Sequence, residues 1–475
     1  MNFEPVIGIE IHVEMKTKSK MFSSAPVKFG EEPNTLIAPL DMAFPGTMPV
    51  VNKQAVINAI RVSHSLNMEI DDELWFDRKN YFYPDLPKGF QITQDKRPIG
   101  KNGYVDIETS NGKKRIEIER LHMEEDTCKQ LHMSDYSLLD YNRAGTPLIE
   151  IVSRPNIRSG EEAMRYVEMI RSIVQYTNVS DGKMEEGSLR CDVNISLRPY
   201  GVEKFGTKVE IKNLNSLSNV EKAIEFEILR QQKLLLRGEK VEQETRRYDE
   251  AKKETVLMRK KTDAVDYKYF TEPNITPIKL SKQFIQDAIE SCPELASQKH
   301  KRYTEKLGLS DYDAKTLLLD KEVSNYFDKT LSFGVNAKLL CNWLMVDIAG
   351  YLNKHQQNIT DLVLSPKHLA ELINMVEQNK ISSKQARELF ARIVTTDEDP
   401  LKIAEENNMM QLSDESTLLN LIEEVLNENP QSIVDYKAGK DRAVGFLVGQ
   451  IMKKSKGKAN PALTSKMLIE KLKEK

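Results

Sequence analysis

Cysteine is scarce: four residues in 475. Cys128, Cys191, Cys292 and Cys341 stand far apart and form neither a CxxC zinc pair nor a small-domain disulfide framework, so buried free thiols are expected. No apolar run approaches the roughly 18 residues that cross a bilayer, and MNFEPVIGIE lacks a basic segment followed by a small-residue cleavage site. A cytoplasmic protein with no membrane contact is the expectation. An excess of one charge is also missing, because 69 Lys and Arg against 72 Asp and Glu leave a net of −3. Any contact with nucleic acid must therefore come from local patches. Common catalytic signatures are absent too: no GxSxG, HExxH or GxGxxG, no kinase HRD and DFG pair, and no cysteine in a nucleophile context. GVEKFGTK (201–208) only imitates a phosphate-binding loop, since Thr207 precedes Lys208 where Ser or Thr should follow the lysine.

What is present is an ordinary globular composition, 40% hydrophobic and 30% charged, in a chain too long for one core. Two or three domains are expected. The first 290 or so residues carry short alternating segments, VIGIEIHVEM (6–15), IERLHMEED (118–126), GSLRCDVNISLR (187–198) and TKVEIKNL (207–214). Period-two alternation predicts half-buried strands, and polar groups on one side favour an antiparallel sheet with one open face. Residues 219–237 predict a helix with a Ser218/Glu221 capping box and a stop at Gly238, backing the sheet. Prolines cluster at 271–280 and near Cys292, after which only amphipathic helical spacing remains, as in 338–352 and 382–394. These shifts predict an α+β fold in three parts: an antiparallel-sheet cradle over 1–293, an all-α helical domain over 294–397, and a small all-α tail over 398–475. From 437 onward, eleven Lys or Arg face three acidic residues, 11 − 3 = +8. Such a tail suits RNA, and equally a solvated helical face.

Alternation places Glu10, His12 and Glu14 on one side of the first strand. It does the same for Arg190, Asp192 and Asn194, and for Lys208, Glu210 and Lys212, while Glu124, Glu125 and Asp126 follow His122. Carboxylates are hard ligands for magnesium and cations neutralise phosphate oxygens, so this mixture fits a metal–nucleotide site. Any half-exposed sheet on which opposite charges simply pair has the same pattern. In RKNYFYPDLPKGFQITQ (78–94) cations interleave with aromatics, which suits a nucleotide or a Pro-braced loop whose rings fill a core.

GIEIHVEMKTKSKMF, RKNYFYPDLPKGFQITQ, LHMEED, DYNRAGTPLIEIVSRP, GSLRCDVNIS and GTKVEIKNLNS, in this order, strongly resemble the B subunits of bacterial tRNA-dependent amidotransferases. RRYD, DYKYF and KGKANP extend the likeness over nearly the whole chain. The resemblance implies a ligase working as a heterotrimer with an amidase A subunit and a small C subunit. It would convert Glu-tRNA(Gln), Asp-tRNA(Asn) or both to the amidated forms, consuming ATP, magnesium and glutamine. It also implies a cradle that phosphorylates the side-chain carboxylate before ammonia displaces phosphate, with the helical and tail domains engaging tRNA. Glu10, His12, Glu125, Asp192 and Glu210 are then expected as the metal shell, with Glu124 a further candidate. Arg190, Lys79, Lys88 and Lys208 are expected at phosphates, and Tyr81 at a base or ribose. A metal-dependent RNA phosphodiesterase and a non-catalytic tRNA-binding scaffold are the competing readings. Many relatives carry CxC and CxxC cysteines over 23–41, where this chain has Ser23, Ala25, Ala38 and Asp41, so no zinc is expected and packing should hold the loop.

Overall fold

A computed structural model describes residues 2–260, 266–407, 409–410, 415–437, 440, 442–455 and 459–474. Lys456, Lys458, Lys475 and Asp441 of the basic tail lie outside the described residues. The chain forms two compact units, Met1–Ala296 and Ser297–Lys475.

The first unit holds the strands. Its amino-terminal half runs β1 (Phe3–Glu14), β2 (Glu69–Ile70), β3 (Glu73–Leu74), β4 (Asp77–Asn80), β5 (Phe90–Thr93), β6 (Gly100–Thr109) and β7 (Gly112–Glu125). There follow a hairpin of β8 (Lys129–His132) and β9 (Ser137–Asp140), then β10 (Pro147–Ser153), β11 (Leu189–Pro199), β12 (Val209–Lys212), β13 (Glu244–Asp249) and β14 (Glu254–Lys260). Nine of these make one sheet in the order β14-β13-β12-β11-β1-β10-β7-β6-β2. Every pairing is antiparallel except β12 with β13.

One face of this sheet is a core. Ile7, Ile9, Ile11 and Val13 of β1 are at most 1% exposed and join Leu121 and Met123, Ile149 and Ile151, Cys191 and Val193, and Val209 and Ile211. Each such side chain contributes about 1.5–3 kcal/mol by leaving water, so the odd-numbered residues of β1 fix which way its even-numbered ones point. Four helices add to this core: α1 (Lys53–Ser65), α2 (Gly160–Tyr176), α3 (Leu217–Leu236) and α4 (Lys282–Glu290). Helix α3 starts earlier than the expected residue 219, because Ser216 rather than Ser218 is its N-cap and accepts from the Asn219 amide. Gly238, at φ +74°, follows its end in the left-handed conformation that terminates helices without cost to glycine. Helices α2 and α3 meet closely at Gly160, where an added Cβ would lie 2.7 Å from the Glu221 carbonyl.

The loop over 23–41 is tied down by a buried ion pair in addition to packing. Lys20, 1% exposed, donates to Asp41 Oδ2 at 3.1 Å, and the same oxygen accepts the Ala38 amide at 2.8 Å. Asp41 thus ties the end of the loop to the buried Lys20 ammonium. Of the cysteines, 128, 191 and 341 are buried free thiols, and Cys292 is half-buried.

All elements of the second unit, among its described residues, are helices, and it contains two apolar clusters. One gathers Tyr303, Phe327, Leu340, Ile348, Leu369, Leu389 and Ile393 and continues past residue 397 to Ile403 and Ala404. The other is built from Leu418, Ile422, Val425, Leu447, Ile451, Leu468 and Leu472. Residues 343–348 of the expected helix 338–352 wind as a π-helical turn. Among the described residues no helix is long and apolar enough to cross a membrane.

Candidate functional site

The polar face of the large sheet lines a cavity of about 690 Å³. Its floor follows from strand register. His12 on β1 lies opposite Glu150 on β10, and Glu150 lies opposite His122 on β7. Three adjacent strands thus present three side chains in a row, and Glu124, two residues beyond His122, rises on the same face.

The result is a tight polar cluster. One ligand atom from each of His12, Glu124 and Glu150 lies within 4.8 Å of the others. His12 Nε2 is 3.4 Å from Glu150 Oε2 and 3.7 Å from Glu124 Oε1. His122 Nε2 is 3.2 Å from Glu150 and 3.6 Å from Glu124. Burial opposes charge on Glu150, yet the imidazoles of His122 and His12 hold its carboxyl well below the usual range. Burial likewise opposes the His122 imidazolium, but Glu150 and Glu124 raise its pKa to about 9. His12 is raised in the same way, against its burial, by Glu150 and Glu124. Two carboxylates are balanced by two imidazoles. Two carboxylates and one imidazole, Nε2 of His12, form an oxygen-dominated donor set that fits a hard divalent cation of the magnesium or manganese class.

A second group of charges lies beside the first. Glu10 pairs with Asp192 across β1 and β11, and Asn194 donates to Glu10 Oε1 at 2.9 Å. Lys212 donates to Asp192 at 2.5 Å and lies 3.2 Å from Glu210, whose other oxygen accepts from Thr245 at 2.9 Å. Burial, with the charges of Glu150 and Asp192 nearby, pushes the Glu10 carboxyl up. Lys79, Lys208, Arg120, Arg259 and Lys260 also border the cavity. Burial disfavours the Lys79 ammonium, but Glu124, Tyr269, Glu150 and Tyr267 together raise its pKa.

Seven of the residues expected from sequence therefore meet around one hollow: Glu10, His12, Glu124, Asp192, Glu210, Lys79 and Lys208. Glu125, Lys88, Arg190 and Tyr81 do not border it. Glu125 is corrected by parity: next to Glu124 in an extended strand, it points to the other face, where its carboxylate takes Lys88 Nζ and the Ile92 amide. Lys88 is thereby occupied away from the cavity and borders a smaller pocket of about 240 Å³. Arg190 donates to Asp126 Oδ2 at 2.7 Å. That pairing belongs to a separate group in which burial and the Asp126 charge push the Glu14 carboxyl up to about 8. Tyr81 stands behind the wall, its ring edge-on to Tyr267 at 6.1 Å.

Sequence reasoning assigned no role to Glu150, His122 or Lys212. Lys212 shares the parity of Lys208 and Glu210, and His122 that of Glu124, so alternation could have selected both. Glu150 sits alone in the apolar run LIEIV, where a single carboxylate in a buried strand was the available signal.

Comparison with known proteins places the geometry in context. Residues 5–286 match the family profile described as GatB/GatE catalytic domain, and residues 325–472 match one described as GatB domain. A Geobacillus thermodenitrificans protein described as the B subunit of an aspartyl/glutamyl-tRNA(Asn/Gln) amidotransferase is 53% identical over 473 residues, covering 99% of each chain. One of the same description from Bacillus velezensis is 52% identical over 476 residues, covering all of each chain.

Proposed function

The chain belongs to the family of aspartyl/glutamyl-tRNA(Asn/Gln) amidotransferase B subunits, and from that premise we propose that its cavity performs the ATP-dependent activation step. The substrate is Glu-tRNA(Gln), Asp-tRNA(Asn) or both, and the chain works in one complex with an amidase A subunit and a small C subunit. The side-chain carboxylate attacks the γ-phosphorus of ATP, the bond to the β-phosphate oxygen breaks, and ADP leaves with that electron pair. Ammonia from the amidase partner then attacks the acyl phosphate carbonyl. The C–O bond to phosphate breaks, one ammonia proton passes to the departing phosphate, and the amide remains.

A carboxylic acid with a pKa near 4 is already ionised at neutral pH, so no general base is needed for the first step. The electrostatic problem is an anionic nucleophile approaching an anionic phosphate. Glu124, Glu150 and His12 would hold magnesium, with His12 giving up its proton to do so, while Glu10, Asp192 and Glu210 stand beside them. Magnesium, when bound there with ATP, neutralises phosphate oxygens. Lys79 and Lys208 add positive charge on the walls, and Lys212 keeps Asp192 and Glu210 in place. The single observation that carries the reading is the convergence of His12, Glu124 and Glu150 within 4.8 Å on a cavity edged by lysines.

The phosphodiesterase and scaffold readings lose their footing with full-length identity to amidotransferase B subunits. The test is to incubate the purified complex with ATP and Glu-tRNA without an ammonia source. Activation yields ADP and phosphate only when charged tRNA is present, and the RNA stays full length; ADP formation indifferent to tRNA, or shortened RNA, would sink it.

A further inference from the structure

Two tyrosines from late in the first unit stand at the edge of the cavity, on a segment whose placement is fixed by β4. Tyr267 and Tyr269 both border the hollow, with ring centroids 6.0 Å apart and planes at 70°. The Asn80 amide donates to the Tyr267 carbonyl at 3.0 Å, and the Asn80 side chain donates to the Lys268 carbonyl at 2.7 Å. Phe270 and Thr271 then pair with Arg78 and Asp77. Between the rings, Lys268 takes φ +47°, an uncommon conformation for a residue with a Cβ. The strap is thus held at both ends and bent in the middle. Tyr81 supports Tyr267 edge-on from behind, and Lys79 Nζ lies 4.9 Å from the centre of the Tyr267 ring.

Packing alone gives little reason for these rings. Tyr269 leaves 40% of its surface in solvent, though it borders a cavity lined with charge, where an aliphatic or polar residue would serve a core equally well. Two aromatic planes inclined at 70° beside a cavity edged by lysines form a corner in which a flat heterocycle can lie face-on to one ring and edge-on to the other. We propose that Tyr267 and Tyr269 form an adenine-binding corner, positioned by Asn80 and Tyr81. This inference rests on the activation reading above, which brings adenosine to the site in two forms: the nucleoside of ATP and the terminal adenosine that carries the aminoacyl ester. Base–aromatic stacking contributes about 1–3 kcal/mol per base, enough to set affinity without contributing to bond making.

The experiment uses the complete complex carrying Tyr269→Ala or Tyr269→Phe. KM is measured for ATP at saturating Glu-tRNA and for Glu-tRNA at saturating ATP. Equilibrium dialysis of ATP and filter binding of Glu-tRNA on the same proteins give affinities that need no turnover, so a failed activation reading and a failed corner remain distinguishable. Tyr269→Ala should weaken one adenosine-bearing ligand by roughly tenfold, and Tyr269→Phe should restore most of it. A change confined to ATP assigns the corner to the nucleotide base, and one confined to Glu-tRNA assigns it to the tRNA end; both support the proposal. Unchanged affinities for both ligands, or a Phe variant as weak as the Ala variant, would overturn it.

Discussion

Glu124 and Glu125 are consecutive in β7, yet their carboxylates end on opposite faces of the sheet. Glu124 lies 3.7 Å from His12 in the cavity, and Glu125 takes Lys88 and the Ile92 amide behind it. The two should respond differently to the same conservative change. Glu124→Gln should lower affinity for manganese, measured calorimetrically on the intact complex, by at least about tenfold. Glu125→Gln should leave metal affinity close to that of the wild type and cost stability instead, about 1–3 kcal/mol, because the Lys88 ammonium loses its charged acceptor. Equal losses of metal affinity in both variants would show that Glu125 reaches the ion.

This pair also marks how far the sequence could be read. Alternation along β1 and β11 was legible because their inward residues are almost uniformly apolar, so it showed that Glu10 and His12, and likewise Asp192 and Asn194, share the polar side of their strands, while the register that sets Glu10 opposite Asp192 comes from the structure. At the end of β7 the run Glu-Glu-Asp erases the contrast between inward and outward positions, so parity there had to be counted from Leu121 and Met123. Glu150 was hidden for a different reason. Its strand lies in the middle of the sheet, flanked by β1 and β7, and its sequence is apolar on both sides of the lone carboxylate. Only the pairing of β10 with both neighbours reveals that the carboxylate faces two histidines.

Glu150 should therefore be as important for the ion as Glu124. Glu150→Gln removes the group nearest to both imidazoles, at 3.4 Å from His12 and 3.2 Å from His122. The expected result is loss of manganese binding by at least about tenfold and loss of charged-tRNA-dependent ADP formation, with unchanged circular dichroism. Normal metal affinity in this variant would remove Glu150 from the donor set.

The loop over 23–41 should depend on Lys20 and Asp41 rather than on zinc. Both are almost fully buried, so removing one leaves an uncompensated charge, and Lys20→Met or Asp41→Leu alone should cost about 3–5 kcal/mol. The double replacement by Met and Leu should recover much of that loss, because buried ion pairs exchanged for apolar side chains are often close to neutral. Elemental analysis should find no stoichiometric zinc, and a zinc chelator should leave Tm where it was. A chelator-induced drop in Tm would point to a metal holding this loop.

In the second unit, Asp328 accepts from Lys299, from Arg302 and from the Tyr303 hydroxyl at 2.9–3.1 Å. Burial opposes its charge, but Arg302 and Lys299 hold its carboxyl below the ordinary Asp value. A folded pKa below the unfolded one means the stabilisation is fully present above about pH 4 and is lost as pH falls through the lowered value. Asp328→Asn should thus destabilise this unit at pH 7 by about 1.5–3 kcal/mol, and the gap from wild type should narrow on acidification. Trp343, packed 5.5 Å from Phe390, reports the unit by fluorescence once Trp75 is replaced by Phe. A gap that stays constant from pH 7 to pH 3 would argue that the ion pairs contribute nothing.

Where the tail is cut decides whether its role can be tested at all. Composition suggested a boundary at 397, but Ile403 and Ala404 are buried in the preceding core and Met409 and Met410 pack against it, so truncation there would damage the helical unit and confuse unfolding with lost binding. We propose a cut after Met410, which removes only the cluster built around Leu418, Leu447 and Leu468. Part of the tail's positive charge is spent internally, since Lys454 pairs with Glu424 and Glu428 and Lys471 with Glu474. The remainder, if it meets phosphates, releases counterions, and that contribution must weaken with salt. The complex lacking 411–475 should therefore bind Glu-tRNA at least about tenfold more weakly at moderate salt and show a shallower fall of log affinity with log salt, while ADP formation persists at saturating tRNA because His12, Glu124 and Glu150 are untouched. Equal affinity and equal salt slope with and without the tail would reduce those lysines to a solvated surface.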